Sequence, residues 1–290
     1  MSSSPLLLEP GLHDNIPSQA YHADPCPAPS LSSTCARTLF SKSPKHAWLE
    51  HPRLGGATKT RTAAMDLGAI VHAQLSGLTM DFEVGNFDSF RSIAAKAWRE
   101  KVEAAGRLAV LEADIEEAKP IVAAIREKAA AGLTIDPFVA GKPEVTAVWK
   151  EEDAYCRARY DRLVLDTAYA DIWDWKTASD VSDEGITSAI IDEGYHIQAA
   201  HYRRGLRRIM PEFAGRISFI FVFVEKKAPY TVRRVCLSEG FISIGEEIIH
   251  RALGIWQNCI KTETWPDGSG ETLTVEPPSW YLHKFAGGAL

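Results

Sequence analysis

Apolar and polar positions repeat with two different periods along this chain, and the change of period divides it. Between Glu144 and Lys176 the period is two. It occupies three runs rich in aromatic and branched residues: Glu144 to Lys150, Tyr155 to Leu165 and Tyr169 to Lys176. Upstream the pattern is helical. Leu31-Ser32-Ser33-Thr34 caps a helix running to about Phe40, and Ser43-Pro44 starts another through Trp48. Ala63 to Leu75, Phe90 to Arg107 and Val110 to Ala131 follow as predicted helices, the last broken or kinked at Pro120. Arg53 to Arg61 reads as a loop and Gly132 to Lys142 as a connector. Downstream, a loop and short helix cover Ser179 to Glu193, and a strong helix runs from Tyr195 to Ile209, stopped before Pro211. Arg216 to Glu225 is apolar on both faces, which predicts a buried central strand. Tyr230 to Leu237 is a further strand and Ser238 to Lys261 an amphipathic helix. The two ends, to about residue 30 and from Trp265 onward, carry no period and read as irregular.

Helices, three strands, a helix, a strand pair and a last helix make an α/β fold with a mixed sheet and an N-terminal helical elaboration. The three runs also set a register. If Thr167-Ala168 is the loop between the second and third runs, Asp174 stands opposite Asp161 and the two share a face, with Lys176 on that face too. Two carboxylates a few ångströms apart resist ionisation unless a cation lies between them. A divalent metal with oxygen ligands meets that need, and a neighbouring lysine would orient water or stabilise charge on a phosphate. A solvated hairpin face with a surface Lys–Asp pair is the plainer reading, and the three residues alone leave both open.

Composition narrows the class. The chain has 290 residues, 46% hydrophobic and 24% charged, as expected of an ordinary globular protein of the cytosol. It contains no run long enough to span a membrane and no signal peptide. A net charge of −6 argues against a generally basic coat but leaves room for a local basic groove. The five cysteines form no CxxC pair, so a disulfide frame, zinc site or iron–sulfur cluster is not expected. Gln198 and Tyr202 lie one turn apart on the Tyr195 helix, where they can hold water or phosphate, or pack in a core. Arg203, Arg204, Arg207 and Arg208 on the same helix form either a phosphate-contacting edge or a solvated basic face. His72 lies inside an apolar helix, where a core role is the simpler reading.

Taken in order, LGAIVHA at 67–73, PEVTAVW at 143–149, CRARYDRLVLD at 156–166, DIWDWKTASD at 171–180, GYHIQAAHYRRGL at 194–206 and FIFVFVEKKAPY at 219–230 form a series. With the opening at Tyr21 to Trp48 and the Trp265-Pro266 tail, the series resembles the PD-(D/E)XK nuclease superfamily. Within it, the series is similar to the phage and prophage RecE-type exonucleases (exonuclease VIII). The usual proline–aspartate pair is not literal here, since Arg159-Tyr160 precede Asp161.

The resemblance implies an α-β-β-β-α-β restriction-endonuclease-like core in a single domain over residues 21–281. That domain has a helical part at 31–142 and a sheet core at 143–261, between a flexible arm at 1–20 and a tail at 282–290. It implies that His72, Asp161, Asp174 and the Trp175 carbonyl ligate one or two Mg²⁺ or Mn²⁺ ions. Glu144 would be a ligand or stand behind one. Lys176 would position or activate water, and Gln198 and Tyr202 would support the site. The cluster-binding cysteines of some relatives are missing, which favours the cluster-free branch. The implied activity is metal-dependent 5′ to 3′ degradation of linear double-stranded DNA. It would leave 3′ overhangs for a RecT-like annealing protein and be carried out by a ring-shaped homo-oligomer of phage or prophage origin. A nuclease of other polarity or substrate, an endonuclease, and a silent DNA-binding scaffold are the alternatives.

Overall fold

A computed structural model describes residues 6–57, 63–77, 82–105, 107–270 and 272–286. The predicted loop at 53–61 and the predicted arm and tail therefore lie partly outside the described residues. In chain order the elements are β1 (Gly11–His13), α1 (Ser18–His22), β2 (Ser30–Leu31), α2 (Ser33–Ser41), α3 (Pro44–Glu50), α4 (Ala63–Ser76), β3 (Phe82–Gly85), α5 (Ile93–Ala104), β4 (Leu108–Leu111), α6 (Glu112–Lys128) and α7 (Pro137–Ala140). The second half contains β5 (Lys142–Glu151), β6 (Ala154–Leu165), β7 (Ala170–Ala178), α8 (Asp183–Asp192), α9 (Tyr195–Ile209), β8 (Ile217–Glu225), β9 (Val232–Cys236), α10 (Glu239–Thr262) and α11 (Ser279–Ala286), with a 3₁₀ turn at Pro211–Phe213. No helix among the described residues is long and apolar enough to cross a membrane.

A seven-stranded mixed sheet in the order β1-β5-β6-β7-β8-β9, with β2 parallel to β6, is covered on both faces. β7 and β8 run parallel at the centre, where Phe219, Phe221 and Phe223 face one side and Ile220, Val222 and Val224 the other. This double burial explains the unbroken apolar run, and each buried side chain contributes roughly 1.5–3 kcal/mol. α2, α9 and α10 pack on the first face, and α4 and α6 on the second. Two glycines let α9 lie close: a Cβ on Gly205 would meet the Trp149 ring at 2.6 Å, and one on Gly245 of α10 would strike the His196 carbonyl.

Four expectations are corrected. The helix expected over Val110 to Ala131 is α6 but starts two residues later, at Glu112, because Leu108–Leu111 pairs parallel with Phe82–Gly85 in a separate two-stranded sheet. The Asp114 carboxylate accepts from the Leu111 N–H and closes that helix start. Pro120 stays inside α6 without breaking it. The N-terminal thirty residues are not wholly irregular: β1 covers the outer edge of β5, and β2 adds to β6. Both satisfy backbone groups that an open strand edge would leave unpaired. The tail also contains a helix, α11, whose Trp280, Tyr281 and Leu282 are exposed.

Candidate metal centre and active site

The β6–β7 hairpin turns at Thr167-Ala168, where the Asp166 N–H donates to the Tyr169 carbonyl. Its ladder pairs Leu165 with Ala170 through Arg162 with Trp173, so the next pair in register is Asp161 and Asp174. There the ladder stops. Beyond it β6 remains paired with β5 and β7 with β8, so the sheet forks, and β2 takes the freed edge of β6 at Tyr155 and Cys156. Asp161 fills the start of the fork: its Oδ2 accepts from the Trp175 N–H at 2.8 Å, in place of a backbone carbonyl.

The alternation of β6 reverses at this point. Cys156, Ala158 and Tyr160 face the same core as Leu163, while Val164 faces the other. Glu144 on β5, opposite Asp161 by the flanking pairs Pro143–Arg162 and Val145–Tyr160, has a left-handed backbone with φ +52°. For a residue with a Cβ that conformation costs on the order of 1 kcal/mol. The two carboxylates are therefore brought together by matching irregularities in adjacent strands.

On the α4 side of the fork, one ligand atom from each of His72, Glu144 and Asp161 lies within 4.8 Å of the others. His72 Nδ1 is 3.3 Å from Asp161 Oδ2, and its Nε2 is 2.9 Å from the Trp175 carbonyl oxygen. Burial opposes charge on this imidazole, but the Asp161 carboxylate outweighs it and pushes the pKa up to about 9. Burial works against ionised Asp161 as well, yet His72 and Lys176 hold its carboxyl below the usual range. Glu144 is raised to about 7, first by burial and then by the Asp161 charge, despite Arg159 Nε lying 2.6 Å from its Oε2.

The α9 side holds the other half. Asp174 is 2% exposed, accepts from Gln198 Nε2 at 2.6 Å through Oδ1, and meets the Lys176 ammonium through Oδ2. Burial raises it, Lys176 lowers it and Asp161 raises it again, to about 6. Lys176 sits 4.8 Å from the Tyr195 ring centre and 5.8 Å from that of Phe221. Burial disfavours its charge, but Asp174 and Asp161 carry its pKa above the ordinary lysine value. Such a lysine donates hydrogen bonds and does not accept a proton at neutral pH. Tyr202 is hydrogen-bonded with Gln198, and its ring packs edge-on against Tyr160 and Phe219. Tyr202 thus serves both as core and as support for Gln198.

These donors fit a hard divalent cation. Two carboxylates and an imidazole converge on one point, the Trp175 carbonyl lies against His72 Nε2, and Asp174 Oδ2 meets the Lys176 ammonium. An oxygen-rich set of this kind suits Mg²⁺ or Mn²⁺. Asp174 lies outside the three-residue group, yet the Asp161 charge still reaches it and both carboxylates act on Lys176. The reversal at Asp161 turns that carboxylate toward α4, while Asp174 points to α9.

The arginines of α9 do not form an open basic edge. Arg204 and Arg208 both grip the Glu151 carboxylate, Arg204 and Arg207 bond Glu246 of α10, and Arg203 lies 3.8 Å from Glu239. Four arginines meet three carboxylates, so most of their charge is balanced within the fold, which favours the structural reading of this face over the phosphate-contacting one. The sequence reading missed Tyr195, three residues before Gln198, and Arg159, two residues before Asp161. Each lies within a quoted motif but carries no period of its own. It also missed a cleft of about 250 Å³ beside Lys176, lined by Ser33, Thr34, Arg37 and Tyr195 among others.

A family model described as a PDDEXK-like domain of unknown function (DUF3799) matches residues 33–276. Among solved structures, a candidate exonuclease from Eubacterium rectale superposes with a TM-score of 0.60 at 13% identity, covering 95% of this chain and 97% of that one. An alkaline exonuclease from Laribacter hongkongensis aligns with a TM-score of 0.30 at 14% identity, over 67% of this chain and 89% of that one. No curated protein matches the chain.

Proposed function

We propose, for a chain that belongs to the PDDEXK-like family DUF3799, that it is a metal-dependent nuclease acting on phosphodiester bonds of DNA. One observation carries the reading. The fork in the sheet sets His72, Glu144 and Asp161 around one point, next to a buried Asp174–Lys176 pair. Removing such charges from water costs several kcal/mol per ion unless a partner, substrate or cation offsets it.

His72, Glu144, Asp161 and the Trp175 carbonyl would hold Mg²⁺ or Mn²⁺, with Asp174 approaching from the other side. When bound, the metal supplies Lewis-acid polarisation of the phosphate and lowers the pKa of a coordinated water. Gln198 fixes the Asp174 carboxylate by holding Oδ1, which leaves Oδ2 to Lys176. Lys176, confined by Tyr195 and Phe221, places an ammonium where it can hydrogen-bond an attacking water or a phosphate oxygen. Tyr202 restrains Gln198 from behind.

Within this class we infer a RecE-type exonuclease that works from the ends of linear duplex DNA, 5′ to 3′, over residues 21–281. It would act as a cytosolic homo-oligomer serving an annealing protein. The ordered motif series supports that narrower reading. The test is digestion of linear duplex labelled at the 5′ or the 3′ end, with Mg²⁺, Mn²⁺ or EDTA and closed circles as control. Metal-dependent loss of linear DNA with spared circles, and 5′ label released first, is expected. Cleaved circles would make it an endonuclease, and intact DNA in every lane would overturn the nuclease.

A further inference from the structure

We propose that the tip and outer edge of the β8–β9 hairpin, Lys226, Lys227 and Arg234, form the surface that grips the phosphate backbone of duplex DNA beside the site. The proposal rests on the nuclease reading. Its starting point is charge. A chain of net charge −6 needs a local basic surface to hold a polyanion, and α9, the densest cationic stretch, is already paired with Glu151, Glu246 and Glu239. Residues 226–236 carry Lys226, Lys227, Arg233 and Arg234 and no acid. Arg233 reaches Asp183 at 2.7 Å, whereas Lys226, Lys227 and Arg234 form no ion pair among the described residues.

Position is the second observation. The Lys226 N–H donates to the carbonyl of Ala178, so the hairpin tip begins where the strand carrying Asp174 and Lys176 ends. Lys176 pairs in register with Phe223, three residues before Lys226. Three strand residues span about 10 Å, roughly the axial length of three nucleotides in one strand of B-form DNA. A phosphate at Lys176 would thus bring its neighbours along the strand past the tip.

Face is the third. Trp175 and Arg234 both pair with Val222, so Arg234 projects on the side of the sheet that bears α4 and His72. Lys227 and Arg234 are exposed, and β9 is the outer strand of the sheet among the described residues. Edge strands do carry charge to discourage pairing with other chains. Charge of either sign achieves that, and an unbroken set of cations on an acidic chain is better explained by an anionic partner.

The test measures binding of a short blunt fluorescein-labelled duplex in EDTA, by anisotropy across a salt series. Variants are the triple K226Q/K227Q/R234Q, the charge-keeping K226R/K227R/R234K, the single K227E and R207Q on α9. Loss of about three phosphate contacts should lower the slope of log K against log salt by roughly 2–3 and weaken low-salt binding at least ~10-fold. The single K227E should lower the slope by about 1, which keeps the test decisive if the triple variant folds poorly. The charge-keeping triple and R207Q should match wild type. An unchanged slope in the glutamine triple and in K227E, or an equal fall in R207Q, overturns the hairpin assignment alone if wild type still cleaves DNA with metal. A wild type that neither binds nor cleaves duplex overturns the assignment together with the nuclease reading.

Discussion

The two sides of the forked sheet solve one electrostatic problem in different ways. Toward α4, the buried Asp161 faces an imidazole; toward α9, the buried Asp174 faces an ammonium. An imidazole can lose its proton and become a metal ligand, whereas an ammonium with a raised pKa can only donate. The pairing partners therefore differ in what they allow: on the proposed reading the α4 side can exchange its proton for a metal, while the α9 side keeps its ammonium.

The sharpest way to break this comparison is a pair of substitutions read in two assays. Asp161→Asn should lower cleavage by about 10³-fold or more and abolish the Mg²⁺-dependent rise in Tm, because it removes a ligand. Lys176→Gln should lower cleavage by about 10²–10³-fold but keep the Tm rise, because it removes only a donor. The division fails if Lys176→Gln also loses the metal response. A smaller effect is expected at Gln198, which touches no metal-side group: Gln198→Ala should cost roughly 10–100-fold in kcat through a loosened Asp174. Smaller again is Tyr195, whose ring lies 4.8 Å from the Lys176 ammonium. Tyr195→Leu should slow cleavage about 10-fold and Tyr195→Phe less than twofold, whereas equal losses would assign the role to the hydroxyl.

The smallest effect tests whether the far end of α9 is structural. Burial alone would raise the Glu151 carboxyl, but Arg204 and Arg208 bring it from an ordinary 4.5 to about 2. A carboxyl lowered in the fold stabilises it above the unfolded value and loses that contribution as pH falls through the folded one. Glu151 should therefore supply on the order of 2–3 kcal/mol above about pH 5, fading toward pH 2. Acid melts of Glu151→Gln should show a shallower loss of Tm over that window than wild type, and identical slopes would remove Glu151 from the account.

How much of this was legible follows from what each feature depends on. The opposition of Asp161 and Asp174 came from a turn of two residues and a period of two, both local, and the ladder agrees. The direction of each carboxylate was not legible, because it depends on the left-handed Glu144 in the neighbouring strand and on a reversal that alternation cannot signal. Likewise Arg203, Arg204, Arg207 and Arg208 read as a basic face. Their partners Glu151 and Glu246 lie between 39 and 57 residues away and become neighbours only when the elements pack. Pro120 read as a break because local rules omit tertiary support, and buried Ile121, Val122 and Ile125 hold the helix through it.

One feature of the fork bears on how the protein becomes active. The edge that β6 gives up is taken by β2, and Arg157 there bonds Ser30, 127 positions away in the chain. His72 reaches the Trp175 carbonyl across 103 positions. Contacts this remote carry a loop-closure cost that must be met before they give anything back, so they tend to form late. The β6–β7 hairpin is a local contact, but the chamber around its carboxylates is completed only when both the N-terminal strand and the α4 helix arrive. A partly folded chain therefore carries the hairpin without the enclosure that completes the site.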